Sequence, residues 1–152
     1  MSNWNDRRTA FWNRQKDRSV LLAKQLSYPL HTRNFTLLWY FFLAELGDIC
    51  NYTKASQIIK FAGVAPYHYE SSQFTAQHTA ITKKGSRYLR KTLYQIILPV
   101  INHNKVFTTY YNKKIAEGKG HRCAQGHCIR KLLRIIYHLL STGQNFDPAF
   151  LM

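Results

Sequence analysis

Apolar side chains recur at helical spacing through most of this chain. An almost unbroken apolar run from Phe35 to Ala44, closed by Gly47, predicts a buried helix. Thr53 reads as the N-cap of a short helix in which Ala55, Ile58, Ile59 and Ala62 fall at i, i+3, i+4 and i+7, with Gly63 as its stop. From Tyr67 to Thr82 the period disappears and Gln, Thr, Ser and His dominate, which predicts a loop or short hairpin. The helical period returns after Gly85, with Leu89, Leu93, Ile96, Ile97 and Val100 on one face. A further helix is predicted over Val106 to Glu117, then a break at Gly118-Lys119-Gly120. The last helix, Arg122 to Leu140, carries Ile129, Leu132, Leu133, Ile136 and Leu140 on its core side. Upstream, Trp4 to Lys24 reads as a basic helix with a poor apolar stripe, ended by Pro29. The fold class is therefore all-α, with one functional loop or hairpin between helices.

Composition narrows the partners. With 152 residues the chain has room for one core, and with 45% hydrophobic and 14% aromatic residues it is too apolar for a solvated basic tail. Lys and Arg number 22 against 7 Asp and Glu, a net charge of +15, so nucleic acid is the expected partner and its binding should be salt-dependent. The charge is uneven: Asn34 to Thr82 holds only Lys54 and Lys60, whereas Lys83 to Arg134 holds thirteen cations and one acid, Glu117. Three cysteines without framework spacing fit a reducing, cytoplasmic setting. The apolar run is about half the length needed to cross a bilayer, so no membrane partner is expected.

The candidate chemistry lies between the two halves. Tyr69-Glu70-Ser71-Ser72-Gln73-Phe74 precedes Lys84-Gly85-Ser86-Arg87-Tyr88-Leu89-Arg90, which sets a serine hydroxyl close in sequence to cations. A serine oxygen attacks phosphorus only when a base, a metal or neighbouring cations help it. Lys83, Lys84, Arg87 and Arg90 are the candidate cations, and the helix opening near Ser86 offers its N-terminal dipole. Arg87, Arg90, Lys91 and Tyr94 share one helix face, a stripe suited to phosphates. The competing readings are plainer. Ser71 could be a turn serine bonded to its own backbone, and the basic stripe a solvated face. Glu45 and Asp48, the only neighbouring acids, are assigned structural roles. His121, Cys123, His127 and Cys128 do not share one helix face, so no metal is expected there.

Five ordered motifs carry a family resemblance. They are Leu43-Ala44-Glu45-Leu46-Gly47-Asp48-Ile49, Phe61-Ala62-Gly63-Val64-Ala65-Pro66, the Ser71 hexapeptide, Ile81-Thr82-Lys83-Lys84-Gly85-Ser86 and Arg130-Lys131-Leu132-Leu133. From Leu43 to Pro148 the chain resembles the C-terminal domain of the IS-110 type (IS-116/IS-902) insertion-sequence transposases. The resemblance implies a small helix-hairpin-helix-like DNA-binding domain acting in transposition, with Ser71 as the nucleophile that forms a phosphoserine link. With the basic helix face read above, the candidate DNA contacts are Lys83, Lys84, Arg87, Arg90, Lys91, Arg130 and Lys131. The implied partners are DNA, a structured guide RNA, and a full-length transposase or further copies of the chain. The implied Mg²⁺ belongs to a RuvC-like domain bearing four acids, not to these residues.

The implied layout is a basic lead over 1–34 without family match and a transposase domain over 35–148. That domain divides into a helix-hairpin-helix-like part (35–66), a serine loop (67–83) and a basic helical part (84–146). Two departures stand out: Ser72 replaces the family glycine after the nucleophile, and the Ile-Pro-Gly-Ile-Gly turn that opens the helix-hairpin-helix is missing. With Gln125 and Gly126 at apolar positions of the last helix, they point to a truncated remnant. A non-catalytic basic nucleic-acid-binding protein is the alternative.

Overall fold

The computed structural model describes residues 33–67, 70, 71, 74, 75 and 80–142, together with the isolated helical positions Thr9, Asn13 and Asp17. The lead's cations, and the serine loop's Ser72, lie outside the described residues. Among the described residues the fold is all-α. Its five helices are α1 (Arg33–Leu46), α2 (Ala55–Phe61), α3 (Arg87–His103), α4 (Lys105–Ala116) and α5 (His121–Thr142). A 3-10 turn (Ile49–Asn51) joins α1 to α2, and a minimal hairpin, β1 (Glu70–Ser71) with β2 (Phe74–Thr75), joins α2 to α3.

The long helices α3 and α5 form the spine. α3 packs against α1, α4 and α5, while α5 also covers α2 and the 3-10 turn. The predicted faces meet at the centre: Leu89, Leu93, Ile96, Ile97 and Val100 of α3 are fully buried, as are Ile129, Leu132 and Leu133 of α5. One cluster runs from Phe35 to Leu140, so all five helices share a single core.

Two local expectations are corrected. The apolar run of α1 is not a buried helix, because only one face is covered. Phe35, Trp39, Phe42, Leu43 and Leu46 enter the core, whereas Leu37 is 65%, Phe41 47% and Tyr40 37% exposed. A helix packed on one neighbour can bury only one stripe, whatever occupies the other. Thr53 is not a side-chain cap. Lys54 flanks α2 without a capping side chain, and the Thr53 N–H instead donates to Gln57 Oε1 at 2.8 Å. Gly126 is buried, and a Cβ there would stand 3.4 Å from the Tyr94 hydroxyl.

The junction entering α3 is built tightly. Gly63 at φ +66° ends α2, and the Ser86 N–H donates to the Phe61 carbonyl at 2.8 Å as the chain returns beneath it. Gly85, at φ +129°, sits so close that an added Cβ would lie 2.2 Å from the same carbonyl oxygen.

Candidate nucleic-acid interface

Backbone pairing presents the serine at the end of a hairpin. The Lys83 N–H donates to the Gly63 carbonyl, the Thr82 N–H to Ala65 and the Tyr67 N–H to Ala80, which zips its base. Further out Glu70 pairs with Thr75 and Ser71 with Phe74, leaving a two-residue connection at Ser72-Gln73. Two residues lie between Tyr67 and Glu70, but four between Thr75 and Ala80, so the returning limb carries an excess of two. Ser71 is thus the last paired residue before the turn. Five residues from Pro66, it stands at most about 18 Å from the hairpin base.

Of the cations expected around the serine, Arg90 departs from the rest. Lys83, Lys84, Arg87 and Lys91 are exposed, with the Arg87 guanidinium 5.4 Å from the Tyr88 ring centre. Arg90 is turned inward, where Nη1 donates to the Lys83 carbonyl at 3.2 Å and more loosely to Ala62 at 3.5 Å. It ties the hairpin base to the end of α2, and so does not project in the stripe expected of it. Lys83 itself holds φ +52°, a conformation that L side chains seldom adopt, within this same tie.

The phosphate site expected at the α3 N-terminus is filled from within. Ser86 Oγ accepts the Leu89 N–H at 3.1 Å and donates to Glu45 Oε2 at 2.9 Å. The carboxylate of α1 therefore stands where an external phosphate was expected, and like charge opposes a second anion there. Asp48 also acts locally, where its side chain accepts the Cys50 N–H and caps the 3-10 turn.

A groove of about 810 Å³ opens instead at the hairpin base. Pro66, Ala80 and Ile81 form one wall, Tyr94 and Tyr110 stand on α3 and α4, and α5 supplies Arg122, Arg130 and Arg134. The three arginines recur every fourth residue with Gly126 between the first two, so they line one face over three helical turns. None is ion-paired among the described residues, where the salt bridge is Lys114 with Glu117 at 2.7 Å. Half-buried Arg130 has its pKa lowered, first by desolvation and further by Arg134. Burial and like charge both disfavour its cation, and a bound anion would relieve both.

Of the residues lining the groove, sequence reasoning selected Arg130 but missed Lys119, Arg122, Arg134 and Tyr110, while Lys131, also selected, lies beside it. The four-residue spacing on α5 was the available signal. Lys131 Nζ lies 4.7 Å from the Tyr110 ring centre, and Arg122 5.9 Å from that of Tyr94.

The His/Cys set of α5 is dispersed. His121 Nδ1 bonds the Tyr111 hydroxyl at 2.8 Å, Cys123 is exposed and Cys128 is fully buried. His127 lines the groove with its pKa lowered, first by burial and then by Arg130, Lys114 and Lys119.

Known proteins share this stretch of chain. The profile of the Transposase IS116/IS110/IS902 family matches residues 38–112, from α1 through the serine hairpin into α4. A 43.6 kDa protein of insertion element IS110 from Streptomyces coelicolor is 24% identical over 105 residues, covering 69% of this chain and 26% of the relative. A 42 kDa protein of insertion element IS900 from Mycobacterium paratuberculosis is 29% identical over 112 residues, covering 72% and 27%. A pilin gene-inverting protein of Moraxella bovis is 24% identical over 106 residues, covering 69% and 33%. The chain thus spans about a quarter to a third of the length of these relatives. Through residues 38–112, the chain belongs to the IS116/IS110/IS902 transposase family.

Proposed function

We propose that this chain is a DNA-binding part of a transposase, holding DNA along the arginine groove and presenting Ser71 as the nucleophile of strand exchange. One observation carries the reading: three arginines without acidic partners among the described residues line a groove whose opposite wall is the base of the serine hairpin. Half-buried Arg130 is a partly desolvated cation, which costs free energy until an anion arrives, and phosphate is the anion that matches a fork of guanidinium donors.

In this reading Ser71 Oγ attacks phosphorus, the P–O bond to one sugar breaks, and the sugar oxygen leaves with the proton it needs. The phosphoserine bond keeps the energy of the broken link, so an incoming sugar hydroxyl reseals the strand and frees the serine. The groove cations would offset charge on the crowded phosphate. Divalent metal, here, belongs to a RuvC-like domain. No set of three metal-ligating side chains stands together among the described residues. The order α1, 3-10 turn, α2, with Gly47 at φ +69°, supports a helix-hairpin-helix-like role for 35–66, in which backbone amides approach a phosphate. The pilin gene-inverting relatives fit a recombination role.

The test is a salt-titrated binding assay with labelled duplex DNA, followed by a denaturing gel for a covalent adduct in the presence of full-length transposase. Arg122→Ala and Arg134→Ala should each weaken binding, and each lost phosphate contact should lower the slope of log K against log salt by about 0.9. Binding that ignores both variants sinks the groove. An adduct that survives Ser71→Ala removes the serine, and unimpaired binding without any adduct favours the non-catalytic nucleic-acid-binding protein.

A further inference from the structure

We infer that the groove takes an unpaired nucleic-acid strand, with its bases against Tyr110 and Tyr94 and its phosphates on the α5 arginines. This rests on the groove being a nucleic-acid site, as proposed above, and adds what kind of nucleic acid enters it.

Shape is the first argument. The space is a recess of about 810 Å³ bounded by the hairpin base, α3, α4 and α5. That is within the roughly 300–1,000 Å³ of pockets that enclose a small-molecule-sized group. Duplex DNA is read by elements that protrude into its grooves, so a recess this small meets only its outer phosphates. One or two unpaired nucleotides can enter.

The lining is the second argument. A site for duplex phosphates needs cations and little else, whereas this wall interleaves Arg122, Arg130 and Arg134 with two tyrosine rings and the apolar Pro66 and Ile81. Cations that track a backbone, alternating with aromatic faces, are the combination that holds single strands. Both rings are part-buried against the core and line the groove with what remains exposed. Tyr110 meets the flexible ammonium groups of Lys131 at 4.7 Å and Lys114 at 5.6 Å, and Tyr94 meets the Arg122 guanidinium at 5.9 Å. A base can take the place of a cation on a ring, as it would of Arg122 on Tyr94. Among the described residues the acid lining the groove is Glu117, which is held by Lys114, and this offsets its repulsion of a phosphate.

The experiment is fluorescence anisotropy on the full chain with a labelled oligodeoxynucleotide, the RNA of the same sequence and the DNA duplex, all at one salt concentration. At least one single strand should bind about tenfold more tightly than the duplex. The stronger of the two identifies the sugar. Tyr110→Leu should weaken the single strand about tenfold and leave the duplex within about twofold, while Tyr110→Phe keeps both. A thermal melt of Tyr110→Leu that matches the parent shows that the loss is not unfolding. If that melt drops, the single-strand preference of the unaltered chain and of Tyr110→Phe decides alone. A duplex that binds as tightly as either strand overturns the inference and leaves the DNA-binding proposal standing. Failure of all three probes to bind overturns both.

Discussion

Glycine and cysteine give the sharpest statements at the scale of the residue. Gly85 combines a left-handed backbone with a carbonyl oxygen 2.2 Å from where a Cβ would stand, and neither Phe61 nor the Ser86 N–H bonded to it can retreat cheaply. Gly85→Ala should therefore destabilise the fold by about 3 kcal/mol or more, read as a lowered midpoint in urea denaturation. Gly118→Ala is the control. It carries the same kind of strain at φ +76° but meets nothing within 4 Å, so its cost should be near ~1 kcal/mol. The thiols divide in the same way. Burial pushes the Cys128 thiol up to about 11, which leaves almost no thiolate at neutral pH, while Cys50 and Cys123 are exposed. A thiol reagent at neutral pH should label two cysteines in the folded chain and three in denaturant. Cys50 should be the slower of the two, since desolvation and then Asp48 raise its pKa. Three rapid labels in the folded state would contradict the packing of α5.

At the scale of the element, the start of α3 is the part that single substitutions can test. Ser86 serves two partners, the Leu89 N–H and the Glu45 carboxylate, so Ser86→Ala removes a cap and leaves the acid without its donor. The expected loss is about 1–2 kcal/mol, measured by thermal unfolding. Ser86→Thr should recover most of it.

Charge distribution matters most at the scale of the whole molecule. The groove concentrates cations at the hairpin base, and His127 shares it with Arg130, Lys114 and Lys119 nearby. In the free protein burial and those cations hold its pKa below the ordinary histidine range, so it is neutral at pH 7. A bound phosphate counters both effects and raises the pKa, so binding takes up a proton. Affinity for nucleic acid should then increase as pH falls below about 7, and His127→Gln should flatten that dependence. Folding has the opposite sign. A depressed histidine pKa favours the unfolded chain as pH falls through about 6.5, so acid weakens the empty protein while strengthening its complex. Binding that weakens on acidification in the parent, measured by anisotropy between about pH 6 and 8, would exclude His127 from the phosphate environment.

The sequence alone determined the helices. Their apolar positions repeat at about 3.6 residues wherever α3, α4 and α5 form, and Gly63 and Gly118 mark stops because few other residues turn left-handed without strain. It also carried the family, since ordered motifs survive in the chain itself. Which side of each helix does the work was decided by tertiary structure. Arg87, Arg90 and Lys91 read as one stripe, yet α2 ends where Arg90 reaches its carbonyls, and the Glu45 of a different helix closes the α3 N-terminus. The apolar run of α1 gave no sign of which residues its neighbour would cover. The arginine groove depends on Pro66, Tyr94, Tyr110 and α5 converging from distant parts of the chain, and a helical period records a face, not the partner that face will meet.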